Sequence, residues 1–124
     1  MTFFIHDALR DPLPADFDVV TCSLFLHHLS DDDAATLLAA MGRAAGRLVL
    51  VNDLARGPLN LALVWLATRF LTRSPVVRVD GSLSVRAAFT PAAALSLAAR
   101  AGLTGATVER HWPCRFLLSW RRRP

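Results

Sequence analysis

Titratable and polar side chains follow two apolar segments of this sequence. The segment FDVVTCSLFL is followed by His27 and His28, and the segment RLVLV is followed by Asn52 and Asp53. A neutral imidazole accepts a proton near pH 7, so His27 is a candidate general base, and Asp53 is a second candidate. His28 and Asn52 are candidate contacts to the polar group of a substrate. This set suits proton removal from a substrate hydroxyl.

Each of these residues also has a simpler explanation. The side chains of adjacent residues diverge, so the two histidines cannot both point at one atom, and for His28 the explanation as a structural histidine is preferred. No third ligand is spaced to join the two histidines, so the sequence predicts no metal site. Asn52 and Asp53 are common turn residues and can simply begin a turn.

The elements that position these residues follow from the apolar pattern. Phe17 to Leu24 and Leu48 to Val51 lack a two-residue alternation, which is typical of strands buried on both faces of a parallel sheet. A short strand is also expected over Thr2 to His6, directly before Asp7. Ligands of open parallel sheets bind beyond the carboxyl ends of the strands. The three strand ends therefore predict a single site.

The three aspartates that follow the histidines are predicted to begin a helix. Ser30 and Asp33 have the spacing of a capping box, and carboxylates in the first turn are favoured by the helix dipole. One face of this helix is apolar, comprising Leu37, Leu38, Met41 and Ala45. The aspartates are thus better explained as a helix start than as metal ligands.

Further helices are predicted in the second half of the chain. Leu59 to about Thr72 is apolar almost all round, so another surface must cover it. A polar loop is expected from Arg73 to Phe89. Thr90 as N-cap and Pro91 at the first helical position then begin a helix that Gly102 closes.

The order of elements predicts one α/β domain. The segments ATVERHW and RFLLSW are separated by the short joint Pro113-Cys114, so they should pair as an antiparallel hairpin. Strands that alternate with helices indicate a mostly parallel sheet with helices on both faces. The length of 124 residues suits a single domain.

Composition argues against several classes of partner. The formal net charge is +4 and every basic residue is Arg, but the arginines are scattered apart from Arg121 to Arg123, so no nucleic-acid partner is expected. No apolar run reaches the ~20 residues that span a bilayer, and no membrane partner is expected. Cys22 and Cys114 lie far apart and no export signal is evident, which predicts reduced thiols in a cytoplasmic protein.

A family resemblance adds to this interpretation. The stretch FDVVTCSLFLHHLSDDDAATLLAAM, preceded by HDALRDPLP and followed by GRLVLVNDL, resembles the second half of a class I S-adenosylmethionine-dependent methyltransferase. TPAAALSLAARAGL before the hairpin is similar to the late helix of that family, and the likeness extends from Phe3 to about Trp120. The resemblance implies S-adenosyl-L-methionine as cofactor, a small-molecule acceptor and a seven-stranded sheet whose last strand is antiparallel.

The resemblance also implies roles for individual residues. Asp7 would lie near the adenine amino group and Ala8 beside the adenine ring, although Asp7 can equally begin a turn. Ser23 and Leu24 would lie along the methionine part of the cofactor, although ordinary strand packing explains Leu24 as well. His27 would face the acceptor.

The sequence also departs from the family. The 124 residues contain no G-x-G run, so the glycine-rich turn that approaches the cofactor is missing, as is the acidic residue that holds the ribose. The strand over Phe17 to Leu24 should then expose an unpaired edge. Three explanations fit these missing features. The chain is either a fragment or a mis-started gene product, or it is completed by another chain, or its first strand has moved beside the second to repair the sheet.

Two functions follow. The first is a truncated methyltransferase that transfers a methyl group to a small, apolar acceptor. The second is a non-catalytic module that forms a homo- or hetero-oligomer through the exposed edge and the helix over Leu59 to Leu71.

Overall fold

The computed structural model of the chain describes residues 1–123. The elements follow in the order β1 (Phe17–Ser23), a 3-10 turn (Leu26–His28), α1 (Asp31–Ala44), β2 (Ala45–Leu54), α2 (Pro58–Leu71), α3 (Pro75–Ala87), α4 (Pro91–Arg100), β3 (Thr107–His111) and β4 (Arg115–Arg121).

Within residues 1–123 the strands form one sheet in the order β1-β2-β4-β3. β1 and β2 are parallel because the crossover helix α1 returns the chain to the same end of the sheet. β4 is antiparallel to both β2 and β3, and the short joint between β3 and β4 allows no other direction. The predicted class, an incomplete α/β sheet ending in an antiparallel hairpin, is confirmed. Among these pairings only that of β1 with β2 is parallel.

The start of α1 has the predicted capping chemistry. The Ser30 hydroxyl oxygen accepts a hydrogen bond from the Asp33 N–H at 3.2 Å and donates to the Asp33 carboxylate at 2.9 Å. At the other end of α1, the Arg122 guanidinium donates to the carbonyls of Gly42 at 2.7 Å and Ala45 at 3.0 Å. Arg122 in the basic C-terminal segment therefore stabilises the helix end.

The hydrophobic core lies between the sheet and the layer formed by α1 and α4. Leu38, Val49, Val51, Phe116 and Leu118 are fully buried in this cluster. Side chains along a strand alternate between the faces, so every second residue of β2 and β4 reaches this core. The core holds the two central strands in a fixed register.

The opposite face of the sheet is largely open to solvent. Val19 on β1 is 45% exposed and Phe17 is 55% exposed. The prediction that β1 is buried on both faces is wrong for this chain. The reason is that α2 and α3 pack on each other instead of on this face. The predicted free edge along β1 is confirmed by the strand order.

The predicted strand over Thr2 to His6 is not formed. Phe3, Phe4 and Ile5 are exposed, and this segment pairs with no other strand in residues 1–123. A segment forms a strand only when a neighbouring strand bonds its N–H and C=O groups. Apolar periodicity does not reveal whether such a neighbour is present, so the sequence alone could not decide whether this strand forms.

The predicted loop from Arg73 to Phe89 is wrong, because this segment contains the helix α3. Pro75 occupies its first turn, where the missing N–H costs nothing. α3 packs closely on α2, and a side chain at Gly81 would come within 3.1 Å of Val64 and 3.2 Å of Thr68. Glycine therefore lets the two backbones approach, and the contact with α2 stabilises a helix whose own sequence looks polar.

The hairpin of α2 and α3 keeps much of its apolar surface in water. No residue of α2 is buried, and Phe70 is 80% exposed. The Arg78 side chain holds the end of α2 through hydrogen bonds to the carbonyls of Thr72 and Arg69. None of the helices described between residues 1 and 123 is long and apolar enough to cross a membrane.

Candidate functional site

The carboxyl ends of β1 and β2 meet at one edge of the sheet. Ser23 pairs with Asn52 in the parallel ladder, and the Leu24 N–H donates to the Asn52 carbonyl at 2.9 Å. Leu24 has a positive φ of 53°, a conformation that L-residues rarely adopt. This turn ends β1 and leads directly into the 3-10 turn that carries the two histidines.

A buried pair of side chains joins the two strand ends. His27 and Asp53 are 7% and 1% exposed, and His27 Nδ1 lies 2.6 Å from Asp53 Oδ1. The other carboxylate oxygen, Oδ2, accepts a hydrogen bond from the His27 backbone N–H at 3.1 Å. The Leu54 N–H donates to Oδ1 at 2.6 Å. Three donors thus compensate for the burial of this carboxylate.

The hydrogen bonds of Asp53 favour one tautomer of His27. Both carboxylate oxygens already accept a backbone N–H, and the tautomer with its hydrogen on Nδ1 lets the ring donate to Oδ1 as well. In a neutral ring the second nitrogen, Nε2, is then left as an acceptor. The pair therefore has the geometry of a general base held in one orientation by a carboxylate.

A thiol lies beside the same carboxylate. Burial raises the pKa of the Cys22 thiol from its ordinary 9.0 to about 11, and the negative charge of Asp53 adds to the rise. Burial also raises the pKa of Cys114. Both cysteines are free thiols. Near neutral pH Cys22 is protonated, which makes it a poor nucleophile.

The remaining residues predicted at these strand ends differ in their surroundings. His28 is exposed, and its ring centroid lies 4.0 Å from that of His27. Asn52 is half-buried, with its amide nitrogen 3.5 Å from the exposed Ser23 hydroxyl. The structure thus brings Ser23, Leu24, His27, His28, Asn52 and Asp53 to one edge of the sheet.

Asp7 and Ala8 are not joined to this group by any hydrogen bond. The Asp7 carboxylate accepts from the N–H groups of Leu9 at 3.1 Å and Arg10 at 3.2 Å, which is the turn role considered as the alternative. Ala8 packs against the hydrophobic core from the α1 side. Their predicted contacts to adenine stay a prediction.

Sequence reasoning placed His27 and Asp53 at one edge but did not foresee that they contact each other. The contact depends on the register of β1 against β2, which apolar periodicity does not define. It also missed Cys22 and the Leu54 N–H as neighbours of the carboxylate. Among residues 1–123, no group of three or more His, Cys, Asp or Glu side chains is arranged to hold a metal ion.

Comparisons with known proteins identify the fold. No family model and no curated protein sequence matches this chain. Among solved structures, the chain is similar to the S-adenosylmethionine-dependent methyltransferase SibL in its apo form, at 19% identity and a TM-score of 0.67, over 98% of this chain and 35% of that one.

Two further structures with this arrangement contain a methylation cofactor or its product. Human N-acetylserotonin methyltransferase in complex with SAM matches at 19% identity and a TM-score of 0.64, over 96% of this chain and 33% of that one. Magnesium protoporphyrin IX methyltransferase from Synechocystis with bound SAH matches at 18% identity and a TM-score of 0.61, over 98% of this chain and 51% of that one.

The chain therefore has the class I methyltransferase fold, of which it forms the part that contains the antiparallel hairpin. It spans about a third of the length of two of these structures and about half of the third. In this part of the fold β1 lies at one edge of the sheet.

We expect the raised pKa of Cys22 to govern its reaction with iodoacetamide. At pH 8 a shift of the pKa from 9.0 to about 11 reduces the thiolate fraction roughly 100-fold, so the folded chain should react that much more slowly than the chain in urea. Mass spectrometry of the Cys22 peptide measures the rate separately from Cys114.

The pH dependence provides the control for simple steric shielding. In the folded chain the rate should rise to half its maximum near pH 11, and a midpoint near pH 9 would contradict the shift. Because the folded state holds this proton more tightly than the unfolded state, the free energy of unfolding should fall as pH rises from 9 to about 11.

Proposed function

We propose that this chain is the acceptor-side part of a methyltransferase that moves a methyl group from S-adenosyl-L-methionine to a small-molecule hydroxyl. The observation that carries the proposal is the buried His27–Asp53 pair at the carboxyl edge of a methyltransferase sheet. The fold alone does not specify a reaction, because function depends on the site. The pair supplies the proton acceptor that transfer to a neutral oxygen requires.

His27 acts as the general base in this proposal. Its Nε2 would accept the proton that the acceptor hydroxyl gives up when the methyl group is transferred. Asp53 does not take the proton; it holds Nδ1–H and stabilises the imidazolium that forms. Such a base contributes about 10²–10⁴-fold to the rate, and holding the reacting atoms in line contributes roughly 7–11 kcal/mol.

The residues at the strand ends fit one part of the cofactor. Ser23 presents an exposed hydroxyl and Leu24 an unusual backbone turn at the point where the methionine part would lie. Asp7 is the residue proposed for the adenine end, and His28 and Asn52 are those proposed for the acceptor. When bound, the cofactor supplies a methyl group on a positively charged sulfur. Among the residues that the structure describes, none is proposed for the ribose hydroxyls, so the proposed cradle is incomplete.

We expect the 124-residue chain to bind the cofactor weakly. Isothermal titration calorimetry should show no submicromolar dissociation constant for S-adenosyl-L-methionine, because none of the residues proposed for the cradle holds the ribose. Transfer of a radiolabelled methyl group to small phenols should accordingly require millimolar cofactor. A submicromolar dissociation constant would contradict the claim that the cofactor site is incomplete. Absence of methyl transfer at millimolar cofactor would contradict the proposed activity.

Asp53→Asn should both destabilise the chain and disturb the base. In either amide orientation the NH₂ group meets an N–H donor, that of His27 or that of Leu54, so the free energy of unfolding should fall by about 1–3 kcal/mol. In the orientation that meets Leu54, the amide donates to Nδ1 and places the ring hydrogen on Nε2. Urea denaturation and ¹⁵N spectra of the His27 ring measure the two effects.

Matched variants separate the general base from a structural role. Asp18→Asn changes an exposed aspartate of β1 and should leave stability and the His27 spectrum unchanged. His27→Gln should lower methyl transfer about 10²–10⁴-fold, whereas His111→Gln, at an exposed site on β3, should not. Full activity in His27→Gln, or an Nε2–H tautomer in the unaltered chain, would contradict the assignment.

A second function is favoured by the free edge of β1 and the open face beside it. An unpaired strand edge next to exposed apolar side chains is suited to pairing with another chain. The chain would then be a non-catalytic module that completes its sheet with a partner, and the apolar surface of α2 would extend the contact. Light scattering at low micromolar concentration tests this function: a defined oligomer supports it, and a clean monomer argues against self-association.

A further inference from the structure

A cavity of about 390 Å³ lies just beyond the carboxyl end of β2, outside the group of residues described above. The first turn of α2, the last turns of α3 and Thr90 line it. Leu61 and Val85 give it largely apolar walls. The lining begins at Arg56, three residues after Asp53, and α3 contacts the 3-10 turn that carries His27. The cavity therefore begins three positions along the chain from Asp53, and the helix that forms one of its walls also packs on the turn that carries His27.

Backbone hydrogen bonds define the shape of the cavity. Ala55 and Phe89 form a parallel bridge, and the Arg56 N–H donates to the Phe89 carbonyl at 3.0 Å. The Asn60 side-chain amide donates to the Ala55 carbonyl at 2.6 Å, which fixes the start of α2 against the same strand. Both ends of the helical hairpin are thus held at the cavity, as expected of a largely preformed ligand pocket.

Two arginines line this cavity and keep exposed side chains. Arg56 and Arg86 form no ion pair with any acidic side chain in the part of the chain that the structure describes. An arginine can lay its methylene stem along an apolar wall while its guanidinium stays in water. The cavity therefore combines apolar walls with a rim that carries two uncompensated positive charges.

We propose that this cavity binds the acceptor and selects one with an apolar ring system and a carboxylate, that is, an aromatic hydroxy acid. The proposal rests on the function proposed above and names the substrate class of that site. A volume near 390 Å³ accommodates one or two rings, and the planar guanidinium matches a carboxylate with two parallel hydrogen bonds. Arg56 and Arg86 are specificity-determining residues and take no part in the proton transfer.

Amide NMR titration of the ¹⁵N-labelled chain tests the proposal without cofactor. The probes are naphthalene-2-carboxylate and the neutral naphthalene-2-methanol, which differ in charge but share the ring system. We expect the carboxylate to bind about tenfold more tightly and to shift the amides of Gly57, Leu61, Val85 and Thr90. Arg56→Gln with Arg86→Gln should abolish this preference while leaving the affinity for the alcohol unchanged.

Arg47→Gln with Arg110→Gln removes two exposed charges, from β2 and β3, and serves as the matched control for net charge. Three results would each overturn the proposal. They are equal affinity for the two probes, an equal loss of the carboxylate preference in the control variant, and amide shifts confined to the open face of the sheet. Since the titration involves no methyl transfer, its failure would leave the His27–Asp53 chemistry standing. If the chain instead binds the carboxylate selectively but transfers no methyl group, the proposed function is wrong and the proposed ligand class of the cavity still stands.

Discussion

The buried carboxylate of Asp53 is the constraint on which the site depends. A carboxylate that is 1% exposed would lose several kcal/mol of hydration, so it is tolerated only because three N–H groups donate to it. Two of these donors belong to His27, one from the ring and one from the backbone. The turn after β1 is therefore attached to the end of β2 by the same group that orients the imidazole. Local stability and the geometry of the site cannot be separated at this point.

Much of the fold follows from local patterns in the sequence. The capping serine and aspartates predict the start of α1, Thr90 and Pro91 predict that of α4, and the short joint predicts the antiparallel hairpin. Elements that depend on a distant partner were not predictable in this way. The segment over Thr2 to His6 has strand-forming residues but no strand beside it. α3 contains four valines and a glycine, which are poor helix formers, and its contact with α2 outweighs that local preference.

The site was predictable as a location and not as an arrangement. Parallel strands bring their carboxyl ends to the same edge, so the histidines, Asn52 and Asp53 could be grouped from sequence alone. The hydrogen bond from His27 to Asp53 spans 26 positions, and a shift of the register by one residue would turn Asp53 to the other face. Asp7 was grouped with these residues as well, but its carboxylate accepts hydrogen bonds from the backbone of its own turn. Arg56 and Arg86 carry no motif, and only the packing of the helical hairpin places them at one cavity.

The bridge between Ala55 and Phe89 has a consequence for how proteins of this fold diversify. The helical hairpin leaves the sheet and returns to it at the same place, so its two ends are already joined by backbone hydrogen bonds. Residues between these ends can be lengthened, shortened or exchanged without moving β2 or β4. The hairpin can therefore differ in length and sequence between proteins of this fold while its two ends keep the same attachment to the sheet.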